Sequence, residues 1–174
     1  MTLAVPAGGL VVLVGISGSG KSTFAARHFR PSAVLSSDAM RAMVADDPDD
    51  QEATDAAFEL LHTALALRLA RGRTTVVDAT NVEGWARARL LAEARRFGRP
   101  ATAVVLALPL ETCLERNALR LRPRPAPALR RQHRRLLGSL GTLAQEGFAQ
   151  VCVLDSEAAV DRATIRAEAT PAPR

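Results

Sequence analysis

The chain has 174 residues, 48% hydrophobic and 24% charged, a size and balance that suit one globular domain with a proper core. A formal charge of +5 and a pI near 10.8 favour a polyanionic partner, nucleotide or nucleic acid, while two cysteines, Cys113 and Cys152, are too few for a disulfide framework or a metal cluster and read as buried thiols. There is no apolar run long enough to span a bilayer and no basic-then-apolar leader, so the expectation is a soluble cytoplasmic protein with no membrane partner.

Leu10–Val14 are consecutive apolar residues, the pattern of a parallel strand buried on both faces. Directly after them, Gly15, Gly18, Gly20, Lys21 and Ser22 complete G-x-x-x-x-G-K-S, and Phe24, Ala25 and Phe29 give the spacing of an amphipathic helix. Strand, glycine-rich loop and helix in that order form a phosphate-binding loop. Its glycines let successive N–H groups line a concave anion site, and the helix start adds a positive dipole end. Gly15, Ser17, Gly18, Ser19, Gly20 and Thr23 are the expected nucleotide contacts. Lys21 is the expected partner of the β- and γ-phosphates of ATP or another NTP, and Ser22 the Mg²⁺ ligand. The chain has 22 arginines and a single lysine, which is Lys21. Lysine here marks a place for a compact ammonium rather than a planar fork.

The first helix is expected over residues 21–29, ending near Pro31, and a short strand over 33–35. Ser36, Ser37 and Asp38 follow that strand, and a short helix capped by Ser36 or Ser37 runs to Asp46. The acidic run 46–50 reads as a solvated helix start, leading into a long helix over 51–70 that Gly72 closes. A second buried strand over 74–78 ends in Asp78 and continues into Ala79, Thr80 and Asn81. Next come a helix over 84–97, in which the lone Trp85 is expected to pack, and a strand over 101–108. A helix over 113–121 is interrupted by Pro123, Pro125 and Pro127; another covers 128–145, and the last strand 151–154. This alternation predicts a doubly wound α/β fold with a mostly parallel sheet of about five strands, its ligands outside the carboxyl ends of the strands. Residues 1–155 are expected to form the domain. Residues 156–174, ending in ATPAPR, read as a linker or tail of the kind that leads to a further domain.

Residues that follow the strands next to the loop should face the γ-phosphate. Asp38 and Arg41 lie three apart, on one face of a helical turn. An aspartate there can accept a hydroxyl proton and align the oxygen for in-line attack, while Arg41 can bind a substrate anion or the developing charge; Asp38 could equally be a helix cap. Asp78 occupies the place of the second carboxylate of nucleotide sites, holding Mg²⁺ directly or through water. Thr80 and Asn81 either face the same mouth or make a turn. Residues 113–135 hold Arg116, Arg120, Arg122, Arg124, Arg130, Arg131, Arg134 and Arg135 against the single carboxylate of Glu115. Arg116 and Arg120 share a helix face and suggest an Arg-rich helical lid over the phosphates; Arg134 and Arg135 suit a solvated face.

The segments VVLVGISGSGKSTFAARHF, LSSDAMRAMVADD, TVVDATN and CLERNALR, with the later RRQ and EGF, together resemble the polynucleotide 5′-kinase module of bacterial polynucleotide kinase-phosphatase enzymes. The resemblance implies a P-loop NTPase fold, nucleoside monophosphate kinase-like, acting in nucleic-acid end healing. It further implies an acceptor DNA or RNA strand with a 5′-OH end, and further end-healing domains as partners. Carried onto this sequence, Lys21 and Ser22 are implied as γ-phosphate and Mg²⁺ contacts, Asp38 as general base, and Arg41 as the residue engaging the acceptor phosphate. Arg116 is implied as the lid arginine, with Arg120 assisting, and Gln51, Thr80 and Asn81 as positions near the acceptor. The proline-rich run 123–127 departs from the family's lid, and no phosphatase signature is present. Two other readings fit the residues alone: a small-molecule P-loop kinase, and a nucleotide-binding regulatory module without transfer activity.

Overall fold

The computed structural model describes residues 2–168. In chain order these form β1 (Thr2–Pro6), β2 (Leu10–Val14), α1 (Lys21–His28), β3 (Val34–Ser36), α2 (Ser37–Ala45), α3 (Thr54–Ala70), β4 (Thr75–Asp78), α4 (Gly84–Arg96), β5 (Ala101–Leu106), α5 (Leu110–Ala118), α6 (Ala126–Leu140), β6 (Gln150–Leu154), α7 (Glu157–Arg162) and β7 (Thr164–Glu168). The main sheet has five strands in the order β3-β4-β2-β5-β6, all pairs parallel. The fold is the expected α/β one. β2, β4 and β5 are buried along their whole length, because helices cover both faces of the sheet and leave no solvated side for polar residues.

On one face Leu10, Val12, Val14, Val77 and Val105 pack against Leu61, Leu65 and Leu69 of α3 and Leu90, Leu91 and Ala94 of α4. On the other, Val11, Leu13, Val76 and Val104 meet Phe24 and Ala25 of α1 and the buried Leu3 and Val5 of β1. Both cysteines are buried, as expected.

The chain after Asp155 departs from expectation. Instead of a tail from residue 156, α7 starts under a Ser156 cap, and β7 pairs in parallel with β1 from Thr2↔Thr164 to Pro6↔Glu168. Ala163 is buried in the same core as Leu3 and Val5. The chain's two ends therefore close one ribbon over α1; ATPAPR lies outside the described residues.

Other element ends shift for local reasons. α3 starts at Thr54 rather than 51, because the Asp50 carboxylate accepts the Glu52 N–H at 2.8 Å and holds a turn first. α5 ends at Ala118 rather than 121. From its last turn, Asn117 Nδ2 donates to the Arg124 carbonyl at 2.9 Å while the Arg124 N–H donates to Asn117 Oδ1 at 3.0 Å, pinning the loop between α5 and α6. The prolines open α6 rather than break it, with Pro125 at its N-cap and Pro127 inside its first turn. Among the described residues no helix is long and apolar enough to cross a membrane.

Candidate active site

Strand register sets out the site. Leu13 of β2 and Ser36 of β3 both pair with Asp78 of β4, so three strand ends finish level. The loop after β2, Asp78, and the start of α2 after β3 therefore stand together at the carboxyl edge, where the strand order reverses about β2. A cleft of about 770 Å³ opens there, lined among others by Lys21, Ser22, Asp38, Asp78, Thr80 and Arg116.

Two glycines of the loop are required by geometry. Gly20 has φ +90° at the N-cap of α1, a conformation L side chains rarely adopt. Gly18 has φ +83°, and a Cβ on it would fall 2.3 Å from the Cys113 carbonyl oxygen of α5. The loop is thus laid directly on the α5 backbone. Gly18→Ala is expected to cost at least about 1–2 kcal/mol from backbone strain alone, before the clash is relieved. A denaturant melt checks this; an unchanged midpoint would count against the contact.

Lys21 is buried, and its Nζ donates to the Ile16 carbonyl at 2.8 Å and reaches Ser19 Oγ at 3.5 Å. Burial pulls its pKa down to about 8, partly opposed by the Asp78 carboxylate. Asp78 is itself buried, and desolvation raises its pKa, with the Ser22 hydroxyl hydrogen-bonded to it and the Lys21 ammonium pulling the other way. A hydroxyl and a carboxylate side by side at a phosphate loop are the hard oxygen donors a Mg²⁺ ion prefers. Gly15 and Ser19 shape the loop rather than line the cleft: the Gly15 N–H donates to the Thr80 carbonyl at 2.9 Å, and Ser19 is fully buried.

At α2 the two roles open to Asp38 separate. The helix cap is Ser36, whose hydroxyl accepts the Ala39 N–H at 3.4 Å, so Asp38 is free of that duty. Its carboxylate pairs with Arg41, which is buried and also donates from Nε to the Pro48 carbonyl at 2.9 Å. Arg124 stands 3.8 Å from the same carboxylate oxygen of Asp38. Thr54 and Phe58 line the cleft from α3, with Gln51 in the turn just before it.

Arg116 lies one turn beyond Cys113. A Cβ on Gly20 would lie 3.4 Å from its guanidinium, which shows how closely the arginine overhangs the loop. It pairs with Glu157 of α7. Arg120 also lines the cleft, and its charge acts on both Lys21 and Asp78. From α6, Gln132 Oε1 accepts the Ser17 N–H at 3.0 Å, placing the second lid helix on the phosphate loop.

The structure departs from the residue-level expectations at several positions. Asn81 does not line the cleft; it sits in the left-handed region at φ 48°, and its Nδ2 donates to the Leu13 carbonyl at 2.8 Å, tying β2 to the end of β4. Arg87, 1% exposed, holds this turn by donating to the Asn81 carbonyl at 2.8 Å and forms a two-pronged ion pair with Glu146 at 2.5 and 2.7 Å. Trp85 does not pack: it is 65% exposed. Arg135 is not merely solvated, since it pairs with Glu83. Unforeseen lining residues are Ala128, Arg131 and Gln132, whose i, i+3, i+4 spacing was readable in the sequence, and Val160 and Asp161, which lie in the supposed tail.

Residues 10–143 match the profile of the AAA domain family AAA_33. The chain belongs to this family. No curated protein matches the sequence. Among solved structures, a putative kinase from Chloroflexus aurantiacus is similar at TM-score 0.63 and 15% identity over 84% of each chain. A gluconokinase from Sinorhizobium meliloti is similar at 0.54 and 20% identity, over 91% of this chain and 94% of that one. A chain of the Pnkp1/Rnl/Hen1 RNA repair complex is similar at 0.63 and 22% identity, over 77% of this chain and 45% of that one. At such identities the likeness is one of fold, a P-loop fold that this chain shares with kinases.

Proposed function

We propose that the domain transfers the γ-phosphoryl group of ATP or another NTP to the 5′-hydroxyl end of a DNA or RNA strand. The observation that carries the reading is Asp38 beside Arg41: a carboxylate relieved of capping, one helical turn from a buried cation, at the mouth of a phosphate loop under an arginine lid. Such a pair suits an acceptor with a hydroxyl to deprotonate and a phosphate to hold. The resemblance of the motifs to end-healing kinases and the fold likeness to a chain of an RNA repair complex support the same acceptor.

In this reading the loop N–H groups of Gly18 and of residues 20–23, with Lys21, hold the donor phosphates. Asp38 takes the proton of the acceptor hydroxyl as its oxygen attacks the γ-phosphorus in line; the bond to the β-phosphate oxygen breaks and the nucleoside diphosphate leaves. Lys21 and Arg116 neutralise the charge that moves onto the bridging oxygen, with Arg120 assisting. Bound beside Ser22 and Asp78, Mg²⁺ would supply further charge neutralisation at the β- and γ-phosphates. Arg41 anchors the acceptor phosphate, with Gln51 and Thr80 at the cleft wall near it.

A pH dependence follows from Lys21. Its ammonium is the form that binds phosphate, and in the free protein that form is lost as pH rises through about 8. Affinity for ATP is therefore expected to be level below that pH and to fall by up to about tenfold per pH unit above it, until the proton is lost from the complex as well. Titration calorimetry across this range checks it; an affinity flat to pH 10 would show that Lys21 keeps its proton.

A second reading, a kinase of small metabolites, has support of its own, because the gluconokinase likeness covers nearly all of both chains and the cleft has the volume of a metabolite site. The test offers labelled ATP together with a 5′-OH oligonucleotide, a nucleoside 3′-phosphate, gluconate or shikimate. Preference for the oligonucleotide supports the proposal, and preference for gluconate or shikimate overturns it.

A further inference from the structure

The loop between α5 and α6 carries Arg120, Arg122 and Arg124, and two of these meet the acidic run that joins α2 to α3. Arg122 Nη1 donates to both oxygens of the Asp47 carboxylate, at 3.0 and 2.9 Å. Arg124 Nη2 lies 3.2 Å from Asp49. The acidic run is therefore not the solvated helix start its sequence suggests. Asp50 serves the turn before α3, while Asp47 and Asp49 face the lid.

A second cavity of about 470 Å³ adjoins these pairs, lined by Asp38, Asp47, Asp49, Arg120 and Arg122 among others. Asp38 and Arg120 line both this cavity and the main cleft. The two cavities thus share Asp38 and Arg120 as a common wall, and a path from the Asp38 carboxylate into the second cavity passes the lid arginines Arg120 and Arg122.

The groups on that path are matched to one kind of ligand. The Arg122 nitrogen that reaches both oxygens of a carboxylate can reach the two free oxygens of a phosphodiester in the same way, and each anion carries one charge. Arg122 and Asp47 are 63% and 41% exposed, and ion pairs so open to water are weak and readily exchanged. A single phosphate, taken by Arg41, leaves both pairs intact. A strand extending along the path brings further phosphates to Arg124 and then Arg122.

We propose that Arg122 and Arg124 form a subsite for backbone phosphates of the acceptor strand, which Asp47 and Asp49 fill until a strand long enough to displace both enters. The proposal rests on the acceptor reading above. It makes the enzyme selective for acceptor length without reading bases, since phosphate contacts position a strand and carry no sequence.

The test compares KM for a nucleoside 3′-phosphate with KM for a 5′-OH hexanucleotide in three proteins: wild type, Arg122→Ala, and Asp47→Asn/Asp49→Asn. The substituted side chains are all at least partly exposed, and thermal melts confirm the fold of each variant. The ratio of the two KM values is expected to be about tenfold or more in the wild type, to shrink at least about threefold in Arg122→Ala, and to grow by about as much when the carboxylates are neutralised. A ratio that stays within twofold across the three proteins overturns the subsite while leaving 5′-kinase activity standing. Binding of a fluorescent hexanucleotide is followed in parallel. Binding that weakens in Arg122→Ala and tightens in the Asn pair, with no phosphate transferred, keeps the anion subsite and refutes the kinase reading; neither binding nor transfer overturns both.

Discussion

An Arg116→Ala variant is expected to lose about 10³- to 10⁵-fold in kcat while its affinity for ATP changes far less, the signature of an arginine that acts on transition-state charge. The reason is positional. Gly18 lies on the Cys113 carbonyl, so the start of α5 cannot move without the phosphate loop, and Arg116 one turn later overhangs Gly20. Glu157 of α7 holds the guanidinium there, at an ion pair about half open to solvent. A triphosphate is a more highly charged acceptor for the same fork and takes it over. Arg116→Lys should recover only part of the rate, because an ammonium cannot span two oxygens. Single-turnover rates at saturating ATP measure the effect, and a loss below tenfold would remove Arg116 from the transition state.

Asp38→Asn is expected to lower kcat by about 10²- to 10⁴-fold, the range for loss of a general base. Asparagine is the informative change because it can still accept a hydrogen bond from Arg41. Alanine would leave that buried guanidinium with only the Pro48 carbonyl, at about 1–3 kcal/mol or more, and so confuse folding with catalysis. Because Ser36 makes the cap of α2, Asp38→Asn should leave helix stability nearly unchanged. Retention of more than a tenth of kcat, with the fold intact, would return Asp38 to a structural role.

Strands buried on both faces are written as continuous apolar runs, which is why β2, β4 and β5 could be read from the sequence together with the phosphate loop between β2 and α1. β1 and β7 could not. TLAVP and TIRAE are short and mixed, and each is a strand only because the other lies beside it, 162 residues away. Missing that pair turned α7 into a tail and hid Glu157, Val160 and Asp161 from the site. Residue type misled where a side chain had two plausible employers. Asn81 suits both a substrate amide and a left-handed turn, and the fold uses it for the turn. The charges of the acidic run and of the lid were both legible, but their meeting was not, since Asp47 and Arg122 are 75 positions apart. Charge patterns show which face of a helix is basic; which loop comes to neutralise it is decided by the packing of α2 and α5 around the sheet.

Transfer of phosphate to a 5′-hydroxyl end is tested most directly by its product. We would incubate the protein with Mg²⁺, γ-labelled ATP and one single-stranded oligonucleotide in two forms, with 5′-OH and with 5′-phosphate, and resolve the products. The predicted result is label on the 5′-OH strand alone, formed at least about a hundredfold more slowly with Asp38→Asn. Label on neither strand, from protein that still binds ATP, would contradict the claim and direct attention to metabolite acceptors.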